Sequence, residues 1–115
     1  MARRLDSERA ASSFPGMEHH VYFWLKEGFG DEAARREFEA GLERLFEIET
    51  VAGGMWGRPA PTPERPVTDK SWDYALSLKF ESVADHDAYQ EAPAHDEFVA
   101  AFKERWAKVL VMDVE

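Results

Sequence analysis

The sequence predicts an α+β fold: a ferredoxin-like β-α-β-β-α-β order on an antiparallel sheet, with two such sheets, one from each of two copies, forming a dimeric α/β barrel. Three observations carry that expectation. His19-His20-Val21-Tyr22-Phe23-Trp24-Leu25-Lys26 is β-branched and aromatic; on a two-residue period His19, Val21, Phe23 and Leu25 share one face, and Tyr22 and Trp24 load the other. Helical periods alternate with strand periods along the chain. The closing stretch, Val109 to Val114, is apolar apart from Asp113. Helices of the same chain can cover one face of this sheet, and a second chain is the natural cover for the other.

Residues 1–16 are polar, small and aperiodic and read as a flexible N-terminal tail, leaving 17–115 as a single domain. After the first strand, Gly28-Phe29-Gly30 breaks the pattern and Asp31 can cap a helix. From Glu32 to Phe46 the apolar positions Ala34, Phe38, Leu42, Leu45 and Phe46 recur about once per turn, while Gly41 permits close approach of a neighbouring backbone. Ile48 to Trp56 reads as a second strand interrupted by Gly53-Gly54. Pro59, Pro61, Pro63 and Pro66 impose an extended loop through Lys70.

Trp72 to Phe80 is the cleanest strand, with Trp72, Tyr74, Leu76, Leu78 and Phe80 on one apolar face. Ser82 and Asp85 have capping-box spacing before a short helix through Tyr89, and Pro93 fits the first turn of another. Along that helix His95, Phe98, Phe102 and Trp106 follow one another at three- or four-residue intervals. On the sheet's second face, Tyr22 and Trp24 meet Leu110, Met112 and Val114, a patch suited to a homodimer.

Composition narrows the function. With 23 acidic against 14 basic residues the net charge is -9, which disfavours nucleic acid and anionic membrane surfaces. Cysteine is absent, so disulfides and thiol catalysis are excluded. There is no long apolar run for a membrane span and no signal-peptide pattern, so cytoplasmic residence is the expectation. Phosphate-binding glycine loops and a serine-nucleophile context are missing. No metal is expected: His19 and His20 point to opposite strand faces, and the Pro93 break separates His86 from His95. No cofactor is implied.

At this point the chain resembles the stress-responsive α/β-barrel (Dabb) family. The matching pieces are the stretch from His19 to Lys26, then Trp72 to Ser82, then Tyr89-Gln90-Glu91-Ala92-Pro93-Ala94-His95-Asp96-Glu97-Phe98, and finally Val109 to Asp113. The resemblance implies a small dimeric domain of unresolved biochemical role. A plant branch of that family contains olivetolic-acid-cyclase-like enzymes, which close linear polyketides by an intramolecular aldol reaction. Tyr89 and His95 match that branch's active pair, and His19 matches a further pocket histidine. Tyr74 stands where the branch has another histidine, Phe38 and Phe98 match pocket phenylalanines, and Trp106 fits an aromatic wall. Val21, Phe23 and Val111 complete the implied pocket for a hydrophobic or aromatic small molecule. Glu39 and Gln90 replace bulky apolar groups, which points away from a long alkyl substrate.

Three readings of His95 stand side by side: a ring buried for packing, a polar wall of a ligand pocket, or a general base. In the last, Tyr89 orients the imidazole or stabilises an enolate oxygen. The function read from sequence is accordingly a dimeric domain with a small-molecule pocket. The alternatives are a cofactor-independent cyclase or lyase using His95 and Tyr89, and a protein-interaction domain.

Overall fold

The computed structural model describes residues 16–115. The tail expected over 1–16 therefore lies, Gly16 excepted, outside the described residues. The chain forms strand β1 (Met17–Leu25), helix α1 (Glu32–Leu45), strands β2 (Gly53–Gly57) and β3 (Tyr74–Phe80), helices α2 (Val83–Glu91) and α3 (Pro93–Phe102), a short 3-10 turn at Lys103–Arg105, and strand β4 (Trp106–Val114). All pairings are antiparallel in the order β2-β3-β1-β4.

Strict alternation makes β1 and β3 the central strands. Met17, His19, Val21 and Phe23 of β1 and Tyr74, Leu76, Leu78 and Phe80 of β3 are buried toward the helices. Asp31 starts α1 by accepting the Ala34 N–H at 2.8 Å, and the helix lays Phe38, Gly41, Leu42 and Leu45 on the sheet. At about 1.5–3 kcal/mol for each fully buried large apolar side chain, this two-layer core is the main stabilising element. Gly41 is needed because the Phe102 ring of α3, rather than a backbone, occupies the space a β-carbon would take. Ser82 caps α2 through the Asp85 N–H, as its spacing predicts. Ala92, extended at φ -68° and ψ 141°, both ends α2 and begins α3, and Pro93 follows at the first helical position.

One expectation is overturned. The chain does not close into a barrel: it forms a single open four-stranded sheet, and no second sheet is present among the described residues. Apolar groups on two faces show that cover is needed without specifying a closed wall, and the second face is less greasy than Tyr22 and Trp24 imply. Glu18 lies 2.8 Å from His20 and 3.5 Å from Lys79, so one end of that face is polar and internally paired. The proline-rich loop covers another part: Trp72 packs on Tyr22 at 5.5 Å between centroids, and Trp24 Nε1 donates to Ser71 Oγ at 3.0 Å. A cavity of about 340 Å³ remains there, walled by Met55, Arg58, Trp72, Ala75 and Ser77 among others. Met112 and Val114 are left open, at 52% and 54% exposure.

Boundaries also move. Residues 48–52 form turns and coil and β2 begins only at Gly53, because Gly54 at φ +132° brings its backbone against Ser77 of β3. Trp72 precedes β3 and lies on the open face, not with Tyr74. Trp106 opens β4 rather than continuing α3.

Candidate functional site

Register brings the polar candidates together at one end of the helix-covered face. His19 of β1 is opposite Leu78 of β3 on one side and Asp113 of β4 on the other. Its ring is 5% exposed, and Nδ1 lies 2.6 Å from Asp113 Oδ1. From α2, His86 and Tyr89 are three residues apart on one helical face and descend onto His19, with ring centroids at 4.8 and 5.9 Å. Tyr89 is buried against Phe80 and stands 4.8 Å from the ring of His95, the third residue of α3. The Ala92–Pro93 junction therefore places Tyr89 and His95 edge to face from two helices.

Burial sets the electrostatics. It pushes His19 below its ordinary value, outweighing the hydrogen bond and charge of Asp113 that act the other way. It lowers His95 as well, against the opposing pull of Asp96. Burial raises the Tyr89 phenol far above its usual range. At neutral pH the pair is a neutral imidazole beside a phenol that keeps its proton. His95 Nδ1 and His86 Nε2 are both buried without a hydrogen-bond partner in the structure. One ligating atom from each of His19, His86 and Asp113 lies within 4.8 Å of the others.

The other expected site residues lie elsewhere. Tyr74 is opposite Phe23, four residues along β1 from His19, or about 13 Å at the rise of a strand. Its hydroxyl donates to Glu39, which also takes two hydrogen bonds from Arg58, and the Arg35 and Arg58 guanidiniums lie over its ring. Burial and the Glu39 carboxylate raise the Tyr74 phenol. At the Tyr74 end, Phe23, Phe38, Phe98 and Trp106 form a packed aromatic layer, with Phe23 at 5.1 Å from both Phe38 and Trp106. Val21 is buried, but its neighbour Val111 is 47% exposed because the helices do not reach over edge strand β4. Asp113 and His86 were not among the sequence candidates. The lone acidic position in the last strand and the i, i+3 relation of His86 to Tyr89 are the signals that mark them.

The family sequence model described as stress responsive A/B barrel domain matches residues 17–115. No curated protein matches the chain. Among solved structures, the Arabidopsis thaliana protein At3g17210 is similar at 25% identity, covering 86% of this chain and 93% of its own, with a TM-score of 0.74. The hydroxynitrile lyase of Passiflora edulis is similar at 22% identity, with coverage of 87% and 92% and a TM-score of 0.74. A dimeric ferredoxin-like protein of unknown function from Thermobifida fusca is similar at 16% identity, with coverage of 85% and 88% and a TM-score of 0.69. Among the described residues, no helix is long and apolar enough to cross a membrane.

Proposed function

The chain belongs to the stress responsive A/B barrel (Dabb) domain family, and from that premise we propose that residues 17–115 act as a homodimeric small-molecule-binding domain in which His95 and Tyr89 receive the ligand. The observation that carries this reading is the buried, unpartnered Nδ1 of His95 next to Tyr89. A buried polar atom without a partner is unfavourable by about 1–3 kcal/mol, and a ligand hydrogen bond would recover that. His95 accepts from a ligand hydroxyl or enol, while the phenol of Tyr89 donates to a carbonyl oxygen. Phe98, one turn along α3 from His95, favours a flat or hydrophobic ligand body.

Dimerisation is supported by the exposed Met112 and Val114 on the open sheet face and by the dimeric state of similarly folded proteins. Burying a few hundred square ångströms of this face contributes several kcal/mol at about 25 cal/mol per square ångström, before association costs.

The same pair supports a second reading, cofactor-independent proton transfer of cyclase or lyase type. His95 removes a proton from a carbon next to a carbonyl, and Tyr89 stabilises the enolate oxygen that forms. The neutral state of His95 favours this reading, since a base must be unprotonated at the working pH. A lyase built on the same frame makes the frame compatible with such chemistry.

The test is a small-molecule binding screen of the wild type and His95→Ala side by side, with molar mass measured by light scattering. Compounds bound by the wild type are expected to be lost from the variant while both proteins remain dimers. Equal binding by both would remove His95 from the site, and a monomeric wild type would remove the dimer. Among compounds found this way, turnover by the wild type and not by the variant would select the second reading.

A further inference from the structure

Three elements distant in sequence deliver two imidazoles and a carboxylate to one point: His19 from β1, His86 from α2 and Asp113 from β4, each with a ligating atom within 4.8 Å of the other two. We propose that this trio binds a divalent transition-metal ion of the zinc class. The proposal goes beyond the small-molecule reading, because it rests on His86 and Asp113, which that reading does not use, and does not require His95.

Three features point to a metal rather than a hydrogen-bond cluster alone. His86 Nε2 is buried with no partner, although its Nδ1 is engaged by Asp87 at 3.1 Å. That is the arrangement of a ligating histidine, one nitrogen held by an outer carboxylate and the other presented inward with its lone pair. The His19 and His86 rings stand 4.8 Å apart. The donor set carries one negative charge, so a divalent cation is partly compensated.

Donor chemistry selects the class of ion. Two nitrogens and one oxygen suit zinc and its neighbours, whereas calcium and magnesium prefer all-oxygen shells. Three protein ligands leave a fourth tetrahedral position for water or a ligand. The His19–Asp113 contact of 2.6 Å would have to open to roughly 3.4 Å, the nitrogen-to-oxygen edge of a tetrahedral zinc site with bonds of about 2.1 Å. The Asp113 side chain is 45% exposed, giving it room to move and the ion a way in from the β4 edge.

The test is calorimetric titration of the EDTA-treated, dialysed protein with Zn²⁺, repeated with Co²⁺ to read the ligand-field spectrum. Variants are His86→Gln, Asp113→Asn and, as a control, His20→Gln, which removes a histidine–carboxylate pair outside the trio, His20 with Glu18. The expected result is one ion per chain and visible Co²⁺ bands of tetrahedral intensity. Affinity should fall by more than about 100-fold in His86→Gln and in Asp113→Asn, since even outer-shell partners are worth 10- to 100-fold. It should be unchanged in His20→Gln. Circular dichroism of each apo-variant separates lost ligation from lost folding, and Asp113→Asn, at a half-exposed position, serves if His86→Gln unfolds. No saturable Zn²⁺ binding, or binding lost only in His20→Gln, overturns the proposal. Failure here leaves the His95→Ala screen intact, because the two experiments share no variant and no probe.

Discussion

Gly54→Ala is expected to be the most damaging single-methyl change in this chain, although Gly54 lies in a short edge strand. The residue holds φ +132°, a conformation that side-chain-bearing residues rarely adopt. A β-carbon there would run into the Ser77 carbonyl oxygen and sit 2.9 Å from its carbon and 3.0 Å from Leu78 Cα. Ordinary carbon contacts are about 3.5–4.0 Å, and the obstacles are backbone, so β2 must move away from β3. Strain at such a φ is worth about 1–3 kcal/mol. Losing the two ladder hydrogen bonds nearest the Gly54–Leu78 pair adds about 1 kcal/mol each, for a total of about 3–5 kcal/mol. In a domain of this size each kcal/mol corresponds to about 4–8 °C in Tm, so a fall of at least about 12 °C is expected. Thermal unfolding by circular dichroism measures it, with Gly53→Ala as the control. Gly53 is the adjacent glycine, has open space where its β-carbon would go, and should change Tm little. If Gly54→Ala melts within about 4 °C of the wild type, the steric reasoning at the β2–β3 pairing is wrong.

Stability should decline on acidification. His19 and His95 have folded-state values below 6.5, so the unfolded chain binds more protons as pH falls through that value toward the folded ones, and the stabilisation present above pH 6.5 is withdrawn. Urea midpoints from pH 8 to 5 measure this; His95→Gln should flatten the slope, and a profile indifferent to that change would dismiss the assignment. Tyr74→Phe should destabilise by about 1–1.5 kcal/mol through loss of the Glu39 hydrogen bond. In a double-mutant cycle that effect should vanish once Glu39 is Ala, which removes the acceptor, and additive losses would show the two groups to be uncoupled. Met112→Asp should shift the proposed dimer toward monomer in sedimentation equilibrium without altering the secondary structure, and an unmoved dimer would place the interface elsewhere.

Sheet order and helix placement are legible in the sequence because periodicity reports burial directly. His19, Val21 and Phe23 against Tyr22 and Trp24, and the run Tyr74, Leu76, Leu78 and Phe80, fix which strands are central. The pairing of Tyr89 with His95 is implied by the resemblance to the plant branch and not by spacing along the chain. What covers the second face is not legible, since Tyr22 and Trp24 ask for burial with equal force whether a loop or another chain provides it. Trp72 illustrates the difficulty: it satisfies the two-residue period with Tyr74, yet the strand begins only at Tyr74 and the indole turns to the other side. The grouping of His19 with His86 and Asp113 depends on the register between β1 and β4 and on the tilt of α2, quantities that spacing along the chain does not encode. Tyr74 stands where the plant branch has a pocket histidine, yet the register sets it opposite Phe23, four residues along β1 from His19.

Because Ala92 closes one helix and opens the next, Tyr89 and His95 are mounted on separate rods that meet at a single joint. Their spacing is therefore an angular quantity: a small swing of the second rod would alter the gap between phenol and imidazole while leaving every strand in place. The stiff ring of Pro93 sits at that joint, so substitutions there should retune the pair without touching either member of it.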